Sequence, residues 1–277
     1  MKAGHDPARR NRNIGTSKSG HGQNNRLVIS ICDPEAVYSY ESLASYGAIS
    51  RKVNRRQITF LVEKTRADSY HACTVDDIAH LLQYVAPADL EGIELIVLRQ
   101  PKRNEEILNP LWGRIGYYVE IGRHRGRAIF IEAVSLSKPM RWSKSLIPEI
   151  ERELERLRND GHEITATKRH HIVSSSLESV RATQLYRTLL HELGHHIDYS
   201  QNPSSFGSKL PSEKESFAHR YADRVRDELQ RKKVIPFKRI VDPKGIERDG
   251  LRMSDFTAIQ QIVGPDVGRV MVQNRKR

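Results

Sequence analysis

The sequence predicts an α+β fold, with strands gathered early and the principal helices late. Three observations carry that reading. Short β-branched or alternating stretches, such as QITFLVEK and GIELIVLRQ, dominate the first half. Later, apolar residues recur at helical spacing, as in PEIERELERLRNDG. The longest amphipathic stretch then carries LLHELGHHIDYS, residues 189 to 200, and a second long helix follows it.

In chain order, residues 1–26 hold Gly, Asn, Ser and Arg without an apolar period and read as a disordered basic tail. A globular pattern spans 27–231, and a basic extension runs from 232 to 277. RLVISIC is a strand candidate, and EAVYSYESLASYGAISRKV reads as helical. QITFLVEK alternates as a strand should. In TVDDIAHLLQYV, Thr74 followed by Asp77 signals a helix start, and Ile78, Leu81, Leu82 and Val85 share one face. GIELIVLRQ, GRIGYYVEIG and RGRAIFIEAVSL are further strands, the last two joined by the polar turn RHRG. PEIERELERLRNDG is a charged helix with Ile150, Leu154 and Leu157 inward, ended by Gly161. RHHIVSSS fits either state. Long helices are expected from Ser176 through Ile197 and from Ser212 to about Arg231. VIPFKRIVDPKGIERDG reads as loop and strand, with a short helix near MSDFTAIQQIV.

A chain of 277 residues can bury a sizeable core. No apolar run reaches the roughly 20 residues that span a bilayer, and the first 25 residues lack the apolar stretch of a secretory signal. Two cysteines, Cys32 and Cys73, are too few for a disulfide framework, which fits a reducing, cytoplasmic setting. The net charge of +12 divides unevenly: residues 1–26 carry a balance of +5, residues 231–277 carry +7, and the middle is neutral. Such ends bind phosphate backbones or acidic surfaces weakly, or stay solvated and bind nothing specific.

On a helix, His191 and His195 lie about 40° apart, away from the stripe of Leu185, Leu189, Leu190, Leu193 and Ile197, with Glu192 beside them. Two neutral imidazoles one turn apart, with a carboxylate able to reach water at the metal, suit a zinc ion. The bland alternative is a helix with an ordinary polar face. Gly194 weighs against it: a mid-helix glycine costs about 1 kcal/mol against alanine and makes sense where another backbone passes close. A third ligand is required. Position 201, where an extended motif would place it, is Gln201. On the next helix Glu215 borders the apolar stripe and is the first choice, Glu213 the second and His219 the third. Ser212 and Glu215 also form a capping-box pattern, which would explain the glutamate without any metal.

HELGHHIDY resembles the active helix of gluzincins, zinc metallopeptidases that add a glutamate from a following helix to H-E-x-x-H, and is similar to that of the anthrax lethal factor catalytic domain. ESFAHRYA resembles the segment supplying the third ligand there, and the 20-residue gap from His195 to Glu215 is similar to that of thermolysin-like enzymes. The resemblance covers about residues 180–225. It implies a zincin-like domain, with a small twisted mixed sheet packed on the H-E-x-x-H helix. It implies one zinc ion per chain on His191, His195 and Glu215, with Glu192 as general base. Thermolysin-like enzymes place an acid four residues beyond the glutamate ligand; here that position is His219, so another group must fix a zinc histidine, with Asp198 a candidate. GRAIFIEAV would be the edge strand that pairs with a peptide, or else an ordinary core strand.

The expected activity is therefore hydrolysis of a protein or peptide substrate, with Glu192 carrying the proton from water to the leaving amine. Tyr199, Tyr221, His196 and His219 are candidates for the donor that meets the oxyanion. The competing expectation is a nucleic-acid-associated protein that binds through its basic ends, with the core structural or processing a DNA-bound partner. A metal-binding scaffold or an effector acting on a host protein ranks third.

Overall fold

The computed structural model describes residues 41–108, 112–144 and 148–257. The N-terminal tail, the RLVISIC strand and everything beyond 257 lie outside the described residues.

The central feature is a five-stranded mixed sheet. Strand β1 (Tyr46–Val53) forms a hairpin with β2 (Arg56–Glu63). This corrects the helix expected there. Its deeply buried residues, Ile49 and Val53, are four apart, a spacing that serves a helix and a strand equally. The turn decides: Asn54 and Arg55 both have positive φ, 47° and 68°, the conformation that matches strand twist in a two-residue hairpin. Asn54 Nδ2 also donates to the carbonyls of Leu82 and Val85, both at 3.0 Å, tying the turn to the end of helix α1 (Val75–Leu82). That helix begins with Thr74 and Asp77 in a reciprocal capping box, as its sequence signals.

After the two-residue strand β3 (Ser69–Tyr70) and α1, strand β4 (Ile93–Arg99) pairs parallel to β2. The short helix α2 (Arg103–Leu108) leads to β5 (Gly113–Ile121), which turns at Gly122 and Arg123 into β6 (His124–Glu132). β6 pairs parallel to β4 and antiparallel to β5, giving the order β1-β2-β4-β6-β5. GRAIFIEAV is thus an interior strand and not an edge; β5 is the edge strand beside it. The physical reason is burial: Ala128, Ile129, Phe130 and Ile131 run continuously buried, as a strand packed on both faces requires.

Both faces of the sheet carry apolar packing. Ile96, Leu98, Ile129 and Ile131 join the main core, while Leu95, Val97, Ala128 and Phe130 face a smaller cluster. The two-residue strand β7 (Val134–Ser135) pairs with β3. A three-stranded sheet, β8 (Met140–Ser143), β10 (His170–Ser174) and β9 (Glu163–Ala166), packs with helix α3 (Pro148–Asn159) through Leu154, Leu157 and Val173.

A continuous helical rod then crosses the main core. It comprises α4 (Leu177–Thr183), a π-helical turn (Gln184–Thr188) and α5 (Leu189–Gln201). Ser176 caps its start. The π turn shifts Leu185 and Tyr186 relative to a regular wheel, but Leu189, Leu190, Leu193 and Ile197 still enter the core together. After α6 (Pro203–Phe206), the long helix α7 (Pro211–Arg231) buries Ala218, Tyr221, Ala222, Val225 and Leu229.

The chain beyond 231 does not leave the domain within the described residues. Ile235, Ile246 of helix α8 (Pro243–Arg248) and Phe256 belong to the main core. No strand forms in this stretch, and near MSDF the described helix is a 3₁₀ turn, Met253–Asp255. Arg239 fastens the segment by donating to the carbonyls of Ala72, His71 and Phe256. Among the described residues no helix is long and apolar enough to cross a membrane.

Candidate metal centre

The site is assembled where α7 crosses α5. A Cβ placed on Gly194 would lie 2.7 Å from Ala218 Cα and 2.9 Å from its carbonyl oxygen. The glycine is therefore what lets the second backbone approach. That approach sets Glu215, one turn before Ala218, over the exposed side of α5.

Three side chains converge there. His191 Nε2 and His195 Nε2 are 3.1 Å apart. Glu215 Oε2 is 3.2 Å from His191 Nε2, and Glu215 Oε1 is 3.4 Å from His195 Nε2. Ligand atoms at about 2.0–2.1 Å from a tetrahedral zinc stand about 3.3 Å from one another. The donor set, two imidazoles and a carboxylate, and its spacing both fit that ion. Hydrogen bonds from His191 and His195 hold the Glu215 carboxyl well below the usual carboxylate range. Burial opposes charge on His195, but its hydrogen bond to Glu215 and the fields of Glu192 and Glu215 outweigh it and raise its pKa.

Glu192 is buried beside this cluster, and burial raises its pKa, making it a stronger base than an exposed carboxylate. Ile115 of β5 supplies it a backbone hydrogen bond. This is one of a series of contacts in which β5 and α5 advance together. Gly113 faces Thr188, Ile115 meets Glu192, Tyr117 Oη donates to the His195 carbonyl at 3.4 Å, and Tyr118 Oη meets Tyr199 Oη at 2.6 Å. Two strand residues and one helical turn span similar lengths, about 6 Å, so the edge strand and α5 stay in register.

Tyr117 and Tyr118 were not among the sequence candidates. Register shifts between Gly116 and Val119, so these two residues form a bulge opposite Arg127. The bulge leaves Tyr118 82% exposed on the strand edge. Two adjacent aromatics interrupting the alternation of GRIGYYVEIG were the available signal. Arg127, also missed, donates to His196 Nδ1 (2.8 Å) and Ser200 Oγ (2.7 Å), with its guanidinium 4.8 Å from the Tyr199 ring centre.

The remaining candidates sort by what they touch. Glu213 Oε2 accepts from the Leu210 amide at 2.8 Å, so the helix is capped two residues earlier than the Ser212–Glu215 pattern suggests. Glu213 is occupied by that cap, and Glu215 is left free for the site. Tyr221 is buried and donates to Asp89 at 2.7 Å, which anchors α7 and removes it as an oxyanion donor. Asp198 is buried and ion-paired with Lys209. It holds the α5–α7 connection and neither His191 nor His195, and among the described residues His191 Nδ1 has no hydrogen-bond partner. His196 is buried against Arg127, and burial with that neighbouring charge lowers its pKa to about 4. Tyr199 is spent on Tyr118. His219 packs against His191 with tilted rings whose centres are 4.4 Å apart, and the ligating atoms of His191, Glu215 and His219 lie within 4.8 Å of one another.

Comparison with known protein families, with curated proteins and with solved structures found no match to this chain, so the site's own geometry is what speaks for its chemistry.

Proposed function

We propose that this chain is a zinc-dependent peptide hydrolase with a zincin-like domain, in which His191, His195 and Glu215 hold the metal and Glu192 is the general base. The observation that carries this reading is the convergence of two imidazole nitrogens, 3.1 Å apart, on the two oxygens of one carboxylate at 3.2 and 3.4 Å, beside a buried glutamate. When bound, zinc supplies Lewis acidity, polarising a carbonyl oxygen and acidifying water to a pKa of about 7.

The protein's own groups do the rest. The Glu192 carboxylate accepts a proton from the attacking water and returns it to the leaving nitrogen. Its burial keeps bulk water from levelling its basicity. The outer edge of β5 has no strand partner among the described residues, and Gly113 to Gly116 precede the bulge. A peptide added there as a strand would lie level with Glu192. Tyr118 and Tyr199 would flank it one turn beyond His195.

The test combines metal analysis with hydrolysis of an unstructured protein such as casein. Wild-type protein is expected to hold one zinc per chain and to cleave. Glu192→Gln is expected to keep its zinc and lose activity by about a hundredfold or more. Undiminished cleavage by Glu192→Gln, or wild-type protein without zinc, overturns the reading.

A further inference from the structure

We propose that His219 is a fourth protein ligand of the metal site, closing it in the resting protein and giving way when a carbonyl or water enters. This rests on the zinc reading above. Helix α7 carries Glu215 and His219 four residues apart, the same offset that His191 and His195 have on α5. Two facing helices therefore each offer a pair of donors one turn apart. The His219 ring lies 4.4 Å from that of His191, as close as the 4.6 Å between the rings of His191 and His195.

The ligating atoms of His191, Glu215 and His219 fall within 4.8 Å of one another, against the edge of about 3.3 Å that a tetrahedral zinc sets. The shortfall is at most about 1.5 Å, a distance within the reach of a side-chain rotation. The His219 side chain makes no hydrogen bond with another described residue, so turning the ring changes only its packing on His191. Three protein ligands leave a coordination position open, whereas four make a closed shell of the kind that holds zinc most firmly. Simple ring packing against His191 is the competing account, and it makes the opposite prediction for metal binding.

The experiment uses the full chain. Zinc Kd is measured by competition with a chromogenic chelator for wild type, His219→Ala and His219→Gln, and visible absorption is recorded with Co²⁺ in place of zinc. Both variants are expected to bind zinc about tenfold or more weakly, with a changed Co²⁺ spectrum. Circular dichroism of the metal-free proteins checks that they fold, and the glutamine variant, close in size and polarity, stands in if alanine does not. Unchanged Kd overturns the proposal. So does weakened binding with an unchanged Co²⁺ spectrum, which would place His219 outside the shell. Wild-type protein that takes up no zinc fails the metal reading itself, whereas tight binding indifferent to His219 fails only this proposal.

Discussion

Two glutamates, two positions apart at the start of α7, have different work because of one backbone amide. Leu210 lies just before the helix, where its amide lacks an intrahelical partner, and Glu213 at the third helical position reaches back to it. Glu215 has no such duty and extends toward the histidines. Replacing Glu213 with alanine is expected to cost about 1 kcal/mol of stability while leaving one zinc per chain. Glu215→Ala should do the reverse, stripping zinc with little loss of stability in the metal-free protein. Denaturant unfolding and metal analysis of the two variants check this; zinc lost from Glu213→Ala instead would exchange their roles. The same logic sets Tyr221, buried and held by Asp89, apart from Tyr199, whose partner Tyr118 is exposed on the strand edge.

At the scale of elements, the site depends on how closely two helices pass. Gly194 and Ala218 mark the point of contact, and there is no room for a methyl group between them. Gly194→Ala gains helix propensity of about 1 kcal/mol, but it sets a carbon 2.7 Å from the backbone of α7. Overpacking of this kind costs about 1–3 kcal/mol and is relieved by moving the helix. The expected outcome is a lower Tm together with weakened zinc binding, because Glu215 moves with α7. A variant that melts higher and binds zinc as before would show that the helices are free to separate without consequence. The π turn ahead of α5 and the bulge in β5 are departures from regular geometry on the two elements that flank Glu192.

Across the whole molecule, the C-terminal segment closes over the base of the core and buries His71. Its Nε2 donates to the Glu63 carbonyl at 2.7 Å, its ring packs on Phe256, and Arg239 holds its carbonyl. Burial lowers its pKa to about 4, against the opposing pull of the Glu63 carbonyl and the Asp255 charge. A lowered histidine pKa means that the unfolded chain binds the proton first. Stability is therefore full above about pH 6.5 and falls as the pH drops toward about 4. Between about pH 7.5 and about pH 5 this group alone should cost about 2 kcal/mol. His162, neutral between Ser175 and Thr183 and lowered chiefly by burial, acts in the same direction. Urea unfolding of metal-free protein at the two pH values tests this. Wild type should lose stability on acidification and His71→Gln should lose less; equal slopes would remove His71 as the source.

Periodicity alone determined most of the elements: the α+β class, the capped start of α1, the inward faces of α3 and α7, and a helix presenting His191, Glu192 and His195 on one side. These are local properties, set by turn angle and by the nearest polar group along the chain. Gly194 even announced a close approach, though not what approached. Tertiary structure decided the rest, because it depends on residues distant in sequence. The strand identity of β1 hung on a turn and a sheet, and the edge position of β5 on which neighbour β6 accepts. Glu215 is set apart from Glu213 by where a helix begins, and it reaches the two histidines only because another backbone can rest on a glycine.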